Sequence, residues 1–192
     1  MRKSRKETAK TRKRIVAAAS AEFRQHGIVA TGLADLMKAA GLTRGGFYKH
    51  FRSKADLLRE VTTASIDSKT TTMKANADKR PGQKGLNAAV ASYLSLDHRD
   101  RPRDGCPLAA MGVELARADA KTRAAATEGF LNYVEVLSSY GDSLPPDQAK
   151  KRAIAAATTM IGALTMARVV KDAKLSESIL KHAADSILRS FE

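Results

Sequence analysis

The sequence predicts an all-α fold, and three observations support that prediction. Apolar residues recur at helical spacing through most of the 192 residues. Hydrophobic residues make up 43% of the chain but aromatic residues only 5%, and much of the remainder is Lys, Arg and Glu, which like Ala and Leu lose little side-chain freedom in a helix. The chain has five prolines and no tryptophan. Together these features argue against a β-rich fold.

The first helix is predicted from about Thr8 to Gln25, after a basic tail at residues 1–7, because Ile15, Ala19 and Phe23 recur on one face. Gly27 then supplies the usual left-handed stop.

A second short helix is predicted to start near Thr31, whose hydroxyl can cap a free backbone N–H, and to turn at Gly41. A third follows the candidate N-cap Thr43 and runs from Arg44 to His50. Phe47 and Phe51 are spaced so that both point inward. Two short helices joined by a glycine turn predict a helix-turn-helix.

The third helix has the side chains that groove recognition requires. Gly45 and Gly46 leave little bulk at its first turn, where a recognition helix approaches the base edges. Its hydrogen-bond donors are contributed by Arg44, Tyr48, Lys49 and His50. Beyond it, Ser53 and Asp56 resemble a capping box, which predicts a long fourth helix whose N-terminus, with Lys54, can hold a phosphate.

The charge distribution supports the same interpretation. Of the formal net charge of +14, residues 1–60 contribute 15 Lys and Arg against five Asp and Glu. Clustered cations bind nucleic acid by displacing its counterions, so the charge favours nucleic acid over a membrane surface; a solvated basic surface is the alternative.

Residues 31–58, TGLADLMKAAGLTRGGFYKHFRSKADLL, resemble the DNA-binding signature of the TetR family of bacterial transcriptional regulators. The resemblance implies an N-terminal three-helix helix-turn-helix DNA-binding domain and a C-terminal helical ligand-binding and dimerisation domain, which we place at residues 1–61 and 62–192. Carried over by position, the expected DNA contacts are Thr31, Thr43, Arg44, Gly45, Tyr48, Lys49, His50 and Lys54. For Tyr48 the alternative is a half-buried core position, and His50 could equally cap the third helix. The tail Arg2 to Lys6 could reach the minor groove or be disordered.

The C-terminal part shows further helical runs after a break at Pro81-Gly82. A charged loop is predicted from His98 to Asp104, then a helix from Pro107, a run ending at Gly141 and another from Pro145-Pro146. Two final amphipathic segments span residues 149–171 and 176–191. Small residues let helices approach closely, so these segments are expected to form the dimer interface through Ala153, Ala156, Ala157, Gly162, Leu164, Ile179, Ile187 and Leu188.

Residues 62–145 are then expected to enclose a ligand pocket. Its candidate lining residues are Tyr93, Met111, Phe130, Tyr133 and Leu137, although aromatic residues and Met at helical spacing are more often simple core residues.

Cys106 is the only cysteine, which excludes a disulfide within the chain and suits a reducing cytosol. Gly105-Cys106-Pro107 places its thiol at a helix N-cap, with Arg99, Arg101 and Arg103 upstream, an arrangement that favours the thiolate. The thiol is either a sensor of electrophiles or oxidants, as in some TetR-type regulators, or buried and inert.

The sequence contains no known catalytic motif, and its four histidines lack metal-ligand spacing. The uncharged stretch 153–167 is too short to span a membrane. We therefore expect a non-enzymatic cytoplasmic, nucleoid-associated bacterial protein without cofactor or metal. It would be a dimeric repressor that binds a palindromic operator and is released by an unknown small molecule. The alternatives are a thiol-based sensor acting through Cys106 and a basic architectural protein that binds DNA without sequence preference.

Overall fold

The computed structural model describes residues 5–191, and within that range the chain forms helices and connecting loops without a β-strand. The described elements are α1 (Arg5–His26), α2 (Leu33–Ala39), the 3-10 helix η1 (Arg44–Lys49), α3 (Lys54–Lys79), α4 (Gly82–Tyr93), α5 (Leu96–Asp100), the 3-10 helix η2 (Pro102–Asp104), α6 (Pro107–Ala116), α7 (Ala120–Ser138), α8 (Pro146–Val169) and α9 (Ala173–Ser190). The all-α prediction is confirmed.

The N-terminal helices fold around an aromatic and aliphatic core. Ile15 and Phe23 of α1 and Phe47 of η1 are fully buried there, and Phe51 nearly so. Gly27, at φ +85°, ends α1, and Gly41, at φ +65°, turns the chain between α2 and η1; other residues rarely adopt this left-handed region. The predicted helix-turn-helix is confirmed.

Two local predictions in this region differ from the structure. Helix α1 begins at Arg5 rather than near Thr8, so Arg5 and Lys6 of the predicted tail are helical; the tail residues before them lie outside the described residues. The N-cap of α2 is Gly32 rather than Thr31, because the Thr31 hydroxyl instead donates to the carbonyl of Gly27 at 2.6 Å.

The third helix is a 3-10 helix. Its backbone bonds include Gly46 N–H to Thr43 O at 3.0 Å and His50 N–H to Phe47 O at 2.9 Å, both from residue i+3 to residue i. Two adjacent glycines weaken an α-helix by about 1 kcal/mol each, which fits this short irregular element.

Helix α3 connects the two halves of the chain. Its N-cap Ser53 accepts the N–H of Asp56 at 3.1 Å, as predicted, and the helix runs without interruption through position 61–62, where we placed the domain boundary. It crosses α7 closely: a Cβ on Gly129 would lie 2.6 Å from Ile66 Cγ2, so the glycine permits the approach. The helix therefore links the basic N-terminal unit to the C-terminal bundle as one rod.

The C-terminal bundle packs α7, α8 and α9 together with α3 and α4. The helices starting at Pro107 and Pro146 are confirmed, but the predicted loop from His98 to Asp104 is largely helical, in α5 and η2. The Ser95 hydroxyl accepts the N–H of His98 at 3.2 Å and caps α5.

Candidate DNA-binding surface and ligand cavity

The outer surface of η1 presents most of the residues expected to contact DNA. Thr43, Arg44, Gly45, Tyr48 and Lys49 are exposed, whereas His50 is half-buried. Tyr48 is 66% exposed, which is unusual for a large aromatic residue. Its ring packs edge-on against Phe47 with centroids 5.3 Å apart, so the core holds a side chain that points to solvent. The half-buried core alternative for Tyr48 does not fit this placement.

The sequence analysis missed Arg12, which fixes the end of η1. Its guanidinium donates to the carbonyl of His50 and pairs with Glu60 of α3, with Nε 2.9 Å from Oε2. It also lies 4.0 Å from the centroid of the Phe51 ring. Arg12 thus joins α1, η1 and α3. Only the helical spacing of a basic residue in α1 could have suggested it.

Two of the expected DNA contacts point inward instead. Thr31 is 3% exposed, and its hydroxyl is used within the turn after α1. The ammonium of Lys54 donates to the carbonyl of Ile28 and lies 5.7 Å from the Phe23 ring centroid. Burial lowers the pKa of Lys54, and the nearby Glu114 carboxylate acts in the opposite direction. Both side chains therefore position the turn rather than project from the surface.

A cavity of about 740 Å³ opens in the C-terminal bundle between α3, α4, the α5–α6 connection and α7. Of the predicted lining residues, Tyr93 and Tyr133 line it, and the candidate sensor Cys106 lines it as well. Phe130 and Leu137 instead belong to the surrounding core, and Met111 belongs to the core of the N-terminal unit. Periodicity identifies buried positions but does not tell which of two cores a residue joins, so these three assignments were wrong.

One end of the cavity holds hydroxyl groups that lack strong hydrogen-bond partners. Among the described residues, the buried Oγ1 of Thr70 has no partner, and the buried Oη of Tyr93 has only the weakly hydrogen-bonding thiol of Cys106 beside it. Burial raises the pKa of Tyr93 well above its ordinary value, and the adjacent Cys106 and Tyr133 add to the rise. The Tyr133 hydroxyl, by contrast, donates to Met160 Sδ at 3.7 Å. Buried hydroxyls without partners are rare in proteins, so this end of the cavity is suited to a ligand or water.

His98 fixes the Cys106 loop against α4. Its Nδ1 lies 2.7 Å from the carbonyl oxygen of Tyr93 and therefore donates, and its Nε2 accepts the N–H of Cys106 at 2.9 Å. This pair of bonds requires the neutral Nδ1–H tautomer. Burial lowers the pKa of His98, with the cations Arg168 and Lys69 acting in the same direction. The thiol of Cys106 is half-buried at the N-cap of α6, as predicted.

The three upstream arginines expected to act on the thiol are paired elsewhere. Arg99 pairs with Asp100, Arg101 with Asp97 and Asp104, and Arg103 with Glu22. The cations close to Cys106 are instead Arg24 and Arg168. Burial lowers the pKa values of both arginines, and their interaction with Cys106 acts in the opposite direction. They come from distant parts of the chain, so sequence proximity could not reveal them.

Helix α6 physically connects the cavity with the N-terminal unit. It starts at Pro107 beside the cavity, and its buried Met111 and Leu115 pack in the same core as α1 and η1. Near its end, Glu114 Oε1 accepts the N–H of Val29 at 2.8 Å, in the turn between α1 and α2. Helix α6 is therefore part of both the cavity wall and the helix-turn-helix core.

Most residues expected at a dimer interface are buried within the fold of the single chain. Ala153, Ala156, Ala157, Leu164 and Ile187 are at most 3% exposed and belong to its own core, whereas Ile179 and Leu188 are half-buried and Gly162 is exposed. Small residues at helical spacing indicate close packing but not the partner helix. The exposed face of α8 is a different row, Ile154, Thr158, Gly162, Met166 and Val169.

Within residues 5–191, no group of His, Cys, Asp and Glu side chains has the arrangement of a metal site. No helix in this described part is long and apolar enough to cross a membrane.

Comparisons with known proteins agree with this architecture. Residues 15–61 match the family described as bacterial regulatory proteins, tetR family, and residues 84–184 match the LmrA/YxaF-like transcriptional regulator C-terminal domain. An uncharacterised HTH-type transcriptional regulator of Mycobacterium tuberculosis is 30% identical over 173 residues, covering 84% of this chain and 86% of that protein. The regulator AcrR of Shigella flexneri is 43% identical over 60 residues, 31% of this chain and 28% of AcrR.

Solved structures show the same fold along nearly the whole chain. Reduced NemR of E. coli has a TM-score of 0.79 at 18% identity, covering 93% of this chain and 95% of NemR. A TetR-family regulator from Cytophaga hutchinsonii has a TM-score of 0.79 at 22% identity, covering 97% and 96%. With the helix-turn-helix, the helical C-terminal domain and these relatives in agreement, the chain belongs to the TetR family of bacterial transcriptional regulators.

Proposed function

We propose that this regulator is a dimeric repressor that binds a palindromic operator and is released when a small molecule enters the cavity of the C-terminal bundle. The observation that carries the proposal is helix α6, which borders the cavity at Pro107 and completes the helix-turn-helix core with Met111 and Leu115. Such a repressor acts on chromosomal DNA in the cytoplasm.

The DNA-binding part of the proposal rests on η1. Its exposed Arg44, Tyr48 and Lys49 can contact bases and phosphates, and Gly45 leaves the backbone open to close approach. Lys54 is engaged within the fold, so phosphate binding at α3 falls to the free N–H groups of its first turn. One recognition helix reads half a site, and a two-fold dimer presents two of them to a palindrome. The exposed face of α8, centred on Gly162, is the surface we assign to that pairing.

Release follows from linkage between the two sites. We infer that α6 has two alternative positions. A ligand that binds the protein more tightly when α6 is in one of them shifts the population of molecules toward that position. Because Glu114 holds Val29 beside α2, the shift alters the spacing of the two recognition helices. Bound ligand then lowers the affinity for the operator, and bound operator lowers the affinity for the ligand by the same factor.

Selection of genomic DNA fragments with the purified protein at physiological salt tests this proposal. A specific repressor retains a few palindromic fragments, with a preference of at least ~10³ over random DNA. Retention without sequence preference would contradict it and would instead support a basic architectural protein.

A thiol-based sensor is the second candidate, supported by the position of Cys106 in the cavity wall with Arg24 and Arg168 nearby. The same selection, repeated with a thiol-reactive electrophile, should then lose the retained fragments. The Cys106→Ser variant should keep them under that treatment. A variant that still responds would exclude the thiol as the sensor.

A further inference from the structure

The cavity has different chemistry at its two ends, and this difference indicates a ligand class. Thr70 and Lys79 both line it from α3, nine residues apart, which is roughly 14 Å along a helix. Lys69 Nζ donates to the carbonyl of Asp104, so the Thr70 end lies beside the loop that leads to Cys106. The cavity is therefore elongated along α3.

The end near Cys106 offers neutral hydrogen-bonding groups. Among the described residues, Thr70 Oγ1 has no hydrogen-bond partner, and the buried Tyr93 hydroxyl has only the thiol of Cys106 beside it, which is a weak hydrogen-bonding group. The raised pKa of Tyr93 keeps it protonated, so it can donate to an oxygen of a bound molecule. The charged groups that line this end are already bound, Asp104 to Arg101 and Lys69 to a backbone carbonyl. Arg168 lies near Tyr93 but does not line the cavity; its Nε and Nη2 donate to the carbonyl oxygens of Arg99 and His98, and its Nη1 has no partner among the described residues. The lining itself therefore offers hydroxyl groups here, which suit a neutral oxygen.

The opposite end carries free positive charge. Lys79 and Arg80 line it at the end of α3, and neither forms an ion pair with any described residue. The carboxylates of Asp78, near Tyr140, and Asp142, beside Gly82, lie close to this end but do not line the cavity, so the charges that face the cavity here are those of Lys79 and Arg80. Four cations and two carboxylates line the whole cavity: Lys69, Lys79, Arg80 and Arg101 against Asp97 and Asp104. Both carboxylates pair with Arg101.

The middle of the cavity is largely apolar. Met73, Ala89, Tyr133 and Met160 line it between the two polar ends. Its volume of about 740 Å³ lies within the range of small-molecule sites, roughly 300–1,000 Å³.

From this arrangement we propose that the cavity binds an elongated organic acid with an apolar body, its carboxylate at Lys79 and Arg80 and a neutral hydroxyl or keto oxygen at Tyr93 and Thr70. This inference rests on the proposed ligand-released repressor and names the chemical class of its effector.

Isothermal titration calorimetry on the full chain without DNA tests the inference with three matched probes: ω-hydroxydecanoate, decanoate and decyltrimethylammonium. We expect the two acids to bind at least ~10-fold more tightly than the ammonium compound, and the hydroxyl to add about 3- to 10-fold. Equal or tighter binding of the ammonium compound, or no binding of either acid, would overturn the inference.

Variants assign each end of the ligand separately. Tyr93→Phe should remove the advantage of ω-hydroxydecanoate while leaving decanoate binding unchanged. The double variant Lys79→Gln/Arg80→Gln should weaken both acids by about 5-fold. Lys84→Gln is the matched control, because Lys84 is exposed on α4 but does not line the cavity. If Lys84→Gln weakened acid binding as much as the double variant does, the assignment of the carboxylate to Lys79 and Arg80 would be contradicted.

This result is independent of the test for DNA binding. A protein that selects palindromic fragments but binds neither acid retains the proposed function and loses the inferred effector class. A protein that binds the acids but selects no DNA sequence loses the proposed function instead.

Discussion

Gly45 offers a substitution that should strengthen the fold and weaken DNA binding at once. A Cβ built at this position meets no atom within 4 Å, so alanine there causes no clash within the protein. Its backbone φ is not positive, so alanine is not strained either. The only neighbour that the added methyl group can meet is DNA, if η1 enters the major groove as proposed.

The expected magnitudes have opposite signs. Replacing glycine by alanine in a helical segment stabilises the fold by roughly 0.5–1 kcal/mol. For a chain of this length, that raises Tm by about 1 to 4 °C. If the methyl group forces the recognition helix away from one base-edge contact, operator affinity falls by about 1–3 kcal/mol, which is roughly 5- to 150-fold.

Thermal unfolding and fluorescence anisotropy with a selected operator measure the two effects. Gly112→Ala is the matched control, because Gly112 is exposed on α6 and also has open space around its Cβ position. It should raise Tm similarly and leave operator affinity unchanged. A Gly45→Ala protein that is more stable and binds the operator as tightly as the wild type would refute close approach at this position.

Three further predictions concern other parts of the molecule. Tyr48→Ala should weaken operator binding about 10-fold or more without changing stability or dimerisation, since the ring is exposed; sedimentation and anisotropy together check this, and loss of the dimer would contradict it. Gly85→Ala should destabilise the fold by more than ~2 kcal/mol, because its Cβ would lie 1.6 Å from the Arg80 carbonyl oxygen; wild-type resistance to urea would contradict this close contact. Burial lowers the pKa of His98 below 6.5, so the unfolded chain binds the proton first and the free energy of unfolding falls as the pH drops through 6.5. Since His98→Gln removes that titration, its stability should decline less between about pH 7 and pH 5, and an unchanged decline would exclude His98 as the cause.

The N-terminal unit was largely predictable because its information is local. Phe47 and Phe51 are four residues apart, and the glycines at positions 27 and 41 mark the turns directly. The C-terminal errors have a different origin. Met111 satisfies the same helical period whether it faces a ligand cavity or the neighbouring core, and Ala156 packs closely whether its partner is α7 or a second subunit. A single sequence contains no information about that choice.

The polar contacts of the candidate sites were the least predictable part. Arg12 reaches Glu60 across 48 positions, and Arg168 comes near Cys106 across 62. Charge patterning identified the basic N-terminal third but not which of its cations point inward. Lys54, assigned to a phosphate, is an example of one that does.

Because α6 contributes to the core of the N-terminal unit, the two domains of this protein cannot simply be separated into independent fragments. A fragment ending at residue 61 would lose Met111 and Leu115 and leave an apolar gap in the core that they share with Phe23 and Leu57. Such a fragment should therefore be poorly folded. A chimaera that fuses this helix-turn-helix to another effector domain should also fold poorly, unless the helix of that domain that replaces α6 supplies side chains of matching shape. Natural exchange of effector domains would face the same demand, so the two halves are expected to evolve as one inherited unit.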